Sequence, residues 1–118
     1  MMLNFSNSID LLVKAEVQNL YQKLIEQLNK DFNLANISID FSKKIIPEEL
    51  KVALHEKIYH LILEKFPEYI NLLYIVDVSE KQVKEIISMD VVDISEQITF
   101  LILKREMQKV WFKSKYAS

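Results

Sequence analysis

The chain contains no glycine in its 118 residues. Glycine enters left-handed backbone conformations without steric cost, so every sharp turn here must be made by a residue with a Cβ. Asparagine is the best substitute, and Asn33 and Asn36, just beyond the first helical run, are the expected left-handed positions. The same absence removes the phosphate-cradling P-loop, the dinucleotide fingerprint and the nucleophile elbow, each of which needs backbone approaches that a Cβ obstructs. There is no cysteine either, which excludes disulfides, zinc ribbons and a thiol nucleophile. Most enzyme classes with short signatures are thereby excluded, so no catalysis and no cofactor are expected.

What remains is strong helical patterning. Ile9, Val13, Val17, Leu20, Leu24 and Leu28 recur in steps of three and four, which predicts one helix from about Ser8, as N-cap, to Lys30. From Asp31 to Ile46 the period is lost, and Ile37, Ile39 and Phe41 alternate with polar residues. A lone strand would leave its backbone groups without partners, so this stretch is expected to cross the bundle in extended form. Pro47-Glu48-Glu49 opens a helix carried to Phe66 by Leu50, Leu54, Ile58, Leu61 and Ile62, and Pro67 stops it. Tyr69–Val78 is β-branched enough for a strand, but with no partner strand in view it reads as helix. Ser79-Glu80-Lys81-Gln82 fits a capping box before a short helix, and Asp93-Ile94-Ser95-Glu96 fits another before a last helix reaching about Lys115. The expected fold is all-α: one domain over residues 1–118, a four- to five-helix bundle with an extended crossing segment near 31–46.

The hydrophobic fraction is 50%, the charged fraction 27% and the net charge −2, which is globular composition with no positive field to recruit nucleic acid. Apolar runs such as Leu72–Val76 fall far short of the ~20 residues that cross a bilayer, so no membrane partner is expected. The first residues lack a basic stretch, and Asp10 interrupts any signal-like apolar segment, so the expected location is the cytoplasm. High lysine, isoleucine and asparagine usage suggests an AT-rich bacterial genome.

Three groups of residues could carry chemistry. Glu56, His60 and Glu64 share a helix face, but His55 and His60 lie five apart, about 140° around the helix, and no Glu precedes either histidine by three. That spacing fits no known metal pair, so no metal ligand is assigned. The last helix carries Lys104, Arg105, Lys109, Lys113 and Lys115 among Trp111, Phe112 and Tyr116, the mixture that single-stranded nucleic acid favours. Cations at a helix C-terminus also complement its dipole, and the acidic chain argues against nucleic acid. Finally, Arg105 is the one arginine beside fourteen lysines and is in phase with Ile98, Ile102 and Phe112. A buried guanidinium needs a carboxylate, and Asp77, then Glu80, are the nearest candidates. Such a pair costs about 3–5 kcal/mol to break if buried and well under 1 kcal/mol if exposed.

Asp77, Glu80, Arg105, Lys109 and Trp111 are therefore the candidate binding residues, with Tyr74 completing a polar pocket. Ile98–Leu103, apolar at every position but Thr99, belongs either at the centre of the bundle or against another chain. The leading expectation is a protein that works by protein–protein contact, as adaptor, regulator or self-associating scaffold, with a homodimer as one form. A nucleic-acid accessory using the C-terminal helix, and a small-ligand binder or enzyme around Asp77 and Arg105, are the alternatives.

Overall fold

The computed structural model describes residues 4–116. Six helices form in chain order: α1 (Ser8–Val17), α2 (Tyr21–Leu34), α3 (Pro47–Glu64), α4 (Phe66–Val76), α5 (Glu80–Lys84) and α6 (Val91–Tyr116). The fold is an all-α bundle in one globule. With 26 residues, α6 is about 39 Å long and sets the 41 Å long dimension of the molecule. It packs against each of the other five helices, so the bundle is built around it. Ile98, Ile102 and Leu103 are buried and Phe100 and Leu101 are half-buried, all within the chain itself. The all-round apolar segment is therefore the bundle's axis. Among the described residues no helix is long and apolar enough to cross a membrane.

The first predicted helix is two. Leu11, Leu12 and Ala15 are buried on α1, while Val13 and Val17 face outward. Continuing that buried stripe at helical period would bring Gln18 or Asn19, Gln22 and Glu26 into the core. The apolar residues that follow are instead Leu24, Ile25 and Leu28, about one residue out of phase. The chain resets the phase at Asn19, which takes φ 59°. Leu20 N–H donates to Ala15 O at 2.9 Å and Asn19 N–H to Glu16 O at 3.0 Å, the paired bonds of a Schellman ending. Asn7 rather than Ser8 is the N-cap: its Oδ1 accepts from Asp10 N–H at 2.9 Å, while Asp10 Oδ2 accepts from Ser6 N–H at 2.8 Å.

The same ending recurs twice. Asn36 (φ 62°) closes α2, with Ile37 N–H on Phe32 O, and Asp77 (φ 68°) closes α4, with Val78 N–H on Leu73 O. Asn33 lies within the last turn of α2 and is not left-handed, contrary to expectation. The crossing segment begins at Ile37, later than predicted, because α2 runs on to Leu34. Ile37 is buried and Ile39 and Phe41 pack against the core. Partners for its backbone come from side chains of α2. Asn29 Nδ2 donates to Phe41 O at 3.1 Å while its Oδ1 accepts from Phe41 N–H at 3.0 Å. Asn33 Nδ2 donates to Ile39 O at 3.1 Å, and Tyr21 Oη donates to Ile45 O at 2.6 Å.

Pro47 is the first residue of α3 and Pro67 the second of α4, so a single residue, Lys65, separates those two helices. Ser79 caps α5 by accepting from Gln82 N–H, as its capping box predicts. The last helix starts earlier than predicted, because Asp90, not Asp93, caps it by accepting from Val92 N–H at 2.9 Å. Asp93 falls in the first turn and accepts from Gln97 Nε2.

Asn36→Ala, which forces an alanine Cβ into the left-handed region, costs about 1 kcal/mol, whereas Asn36→Gly is neutral or stabilising. Urea unfolding midpoints at constant m-value check this, and equal loss from both variants would show that the Asn36 side chain, not its φ, matters.

Candidate functional site

Of the residues singled out in the sequence, Arg105 and Asp77 meet. Arg105 Nη2 donates to Asp77 Oδ2 at 3.1 Å, and Nη1 donates to Gln108 Oε1 at 3.2 Å. The pair is not buried, however: the side chains of Arg105 and Asp77 are 34% and 76% exposed. Asp77 sits beyond the end of α4 in the left-handed turn, so the phase that placed it on an apolar face does not extend to it. Glu80 turns away and pairs with Lys84 at 3.3 Å, and Tyr74 is 84% exposed. These four residues lie on an open surface and enclose no pocket. Trp111 is half-buried against the core, edge-on to Phe112 at 5.1 Å, with Lys115 Nζ 5.3 Å from its ring centroid.

Lys109 leads elsewhere. The buried stripe of α6 is Ser95, Ile98, Thr99, Ile102, Leu103, Glu106, Met107 and Val110. It lies one residue from the phase inferred through Arg105, which puts Glu106, fully enclosed, on the core face. Opposite it on α2, Asp31 continues the stripe of Leu24 and Leu28 and is also buried. Lys109 Nζ sits between them, 2.8 Å from Asp31 Oδ2 and 3.3 Å from Glu106 Oε1, and donates to Ile75 O at 3.4 Å. That carbonyl belongs to the last turn of α4, where a cation complements the helix dipole. Asp31 also accepts from Gln27 Nε2 at 3.1 Å on both oxygens, and Gln27 Oε1 accepts from Lys113 Nζ at 2.8 Å. A polar chain thus runs from Glu106 through Asp31 and Gln27 to Lys113 at the surface.

Glu106 is the anomaly in that chain. Neither of its carboxyl oxygens accepts a hydrogen bond among the described residues, because Lys109 is near but off line. Burial raises its pKa, and the adjoining Asp31 carboxylate raises it further, to about 9, against the weaker pull of Lys109. For Asp31, burial acts upward, but hydrogen bonds from Glu106, Lys109 and Gln27 outweigh it and the net direction is down. With Glu106 protonated, as its burial and the Asp31 charge both favour, the two carboxyls hold one negative charge against the Lys109 ammonium. That arrangement needs no further counter-ion. Chemically it is a held proton in a closed interior.

The histidines are engaged separately. His60 Nδ1 lies 3.3 Å from Glu64, and His55 Nε2 lies 2.8 Å from Ser95 Oγ and 3.0 Å from Val92 O. Ser95 and His55 form a pair that no periodicity or motif foreshadows, but Ser95 is fully buried and its hydroxyl donates to Val92 O, so it presents no nucleophile. Among the described residues no three acidic or histidine side chains gather as metal ligands. Comparison with known families, with curated proteins and with solved structures finds no match to this chain.

Arg105→Met and Asp77→Asn each cost under about 1 kcal/mol, because the pair is solvated, and a double-mutant cycle gives a coupling of a few tenths. A loss of several kcal/mol in either variant would mean that the guanidinium is desolvated. Glu106 governs the pH dependence. Its folded pKa lies above its ordinary value of 4.5, so its contribution is fully present below that value and is lost as pH rises toward about 9. Asp31 acts oppositely, its contribution being lost as pH falls below the ordinary 3.8. Glu106→Gln, neutral at every pH, flattens the decline in stability between pH 4.5 and about 9. An unchanged slope would show Glu106 ionised in the folded chain.

Proposed function

We propose that this chain is a helical interaction protein of the cytoplasm, acting through protein–protein contact without catalysis. One observation carries the reading. On the outer face of α4, Phe66, Ile70 and Tyr74 follow one another at four-residue spacing and are all exposed, with Leu63 of α3 three residues before Phe66. Phe66, Ile70 and Leu63 are each about half exposed, although the chain has ample lysine and glutamate for a solvated face. Exposed aromatic and aliphatic side chains along one helix face are typical of contact sites, where large apolar groups supply most of the binding energy. The line is open to a second copy or to another protein.

The nucleic-acid alternative has less support. Lys109 is held by Asp31, Lys113 by Gln27 and Arg105 by Asp77, while Lys104 and Lys115 lie over the rings of Phe100 and Trp111. The basic residues of α6 thus have intramolecular roles rather than forming a free basic stripe.

Ile70→Glu tests the reading, since a charge at the middle of the line disrupts a contact while leaving a solvent-facing position of the fold intact. Sedimentation equilibrium of wild type and variant, together with paired affinity captures, is expected to show association weakened by about tenfold or more, at unchanged melting temperature. Equal association of the two proteins would remove α4 as the contact face.

A further inference from the structure

Between α2 and the C-terminal part of α6 lies a cleft of about 360 Å³. Lys23 and Lys30 border it from α2 and Lys113 and Ser114 from α6, with Gln27 and Val110 beneath. The balance of charge in this cleft is unusual for the molecule. Its one acid, Glu26, pairs instead with Lys43. Lys113 donates to the Gln27 amide oxygen, which is neutral, and Lys23 and Lys30 make no ion pair among the described residues. Three ammonium groups therefore border the cleft, and its one carboxylate is taken up by Lys43, in a chain whose net charge is −2. The negative charge behind the floor does not relieve this, because Asp31 is matched by Lys109.

We propose that the cleft is a binding site for a small phosphate monoester. With Glu26 engaged by Lys43 and the Gln27 oxygen by Lys113, the groups left to a ligand are donors: three ammoniums and the Ser114 hydroxyl suit a dianion with three terminal oxygens better than a carboxylate with two. Lys113 has three N–H groups and uses one on Gln27, so it can engage an anion without releasing the floor. Gln27 is fixed in turn by its two contacts to Asp31, which presents the site preformed rather than collapsed. Val110 and the aliphatic stems of Lys23 and Lys30 give an apolar wall for the organic part of the ligand. The site is independent of the α4 contact face and stands or falls without it.

The test is an NMR titration of the labelled chain with inorganic phosphate, phenyl phosphate and benzoate at matched ionic strength. Phenyl phosphate is expected to give saturable amide shifts confined to residues around 23–30 and 110–114, with inorganic phosphate binding more weakly and benzoate weakest. Lys23→Gln combined with Lys30→Gln, both exposed and structurally undemanding, weakens phenyl phosphate by about tenfold, whereas Lys84→Gln on α5 leaves it unchanged. Shifts that rise linearly with concentration, spread over the lysines generally, or persist in the double variant overturn the proposal. Benzoate binding as tightly as phenyl phosphate overturns the phosphate assignment.

Discussion

A chain that must turn without glycine has to place a Cβ wherever its backbone becomes left-handed, and that requirement organises this molecule. Among the described residues the strain is accepted at three positions, Asn19, Asn36 and Asp77, whose short polar side chains tolerate it best. Each closes a helix with the same pair of hydrogen bonds, so no terminal carbonyl of that kind is left unmet. The positions have separate consequences. The turn at Asn19 shifts the apolar stripe so that α1 and α2 both face the core. The turn at Asn36 releases the crossing segment. The turn at Asp77 brings a carboxylate and the last carbonyls of α4 up to the cations of α6, which is why Arg105 and Lys109 both find partners there.

The axis of the bundle raises a second physical question. A 26-residue helix touching five others is enclosed on more than one side, so its polar residues must be satisfied internally. Ser95 and Thr99 bond to carbonyls one turn back, at 2.9 and 2.7 Å. Glu106 has no such recourse, since a carboxylate is acceptor only, and its burial beside Asp31 favours the protonated form. Lys109 neutralises the remaining charge. Replacing Lys109 alone would leave Asp31 buried without its cation, a worse state than losing the whole network.

Much of the fold was legible from periodicity. Helices α3, α4 and α6 follow their apolar spacing and their prolines, and the crossing segment follows from the alternation of Ile37, Ile39 and Phe41. What escaped was phase. On α1 the stripe drawn through Ile9, Val13 and Val17 runs smoothly into Leu20, Leu24 and Leu28 of α2, whereas the residues that α1 buries are Leu11, Leu12 and Ala15. On α6 the stripe drawn through Ile98, Ile102 and Arg105 and the one drawn through Ile98, Ile102 and Glu106 share their first members, and only packing separates them. That ambiguity led to Arg105 and away from Glu106, although three-residue spacing from Leu28 to Asp31 and four-residue spacing from Ile102 to Glu106 placed both acids on core faces. Asn29 carried no periodic pattern at all, since its role depends on a segment twelve residues away in sequence.

Asn29 has an effect beyond geometry. Its amide satisfies both the N–H and the C=O of Phe41, and Asn33 holds Ile39 one turn further along α2. The crossing segment has no strand or helix of its own to shield its amides, so solvent exchange at Phe41 requires Asn29 to let go. Opening that turn of α2 withdraws Asn29 from both groups at once. An irregular segment is thereby tied to a helix, and local unfolding of that turn exposes Phe41 together with α2.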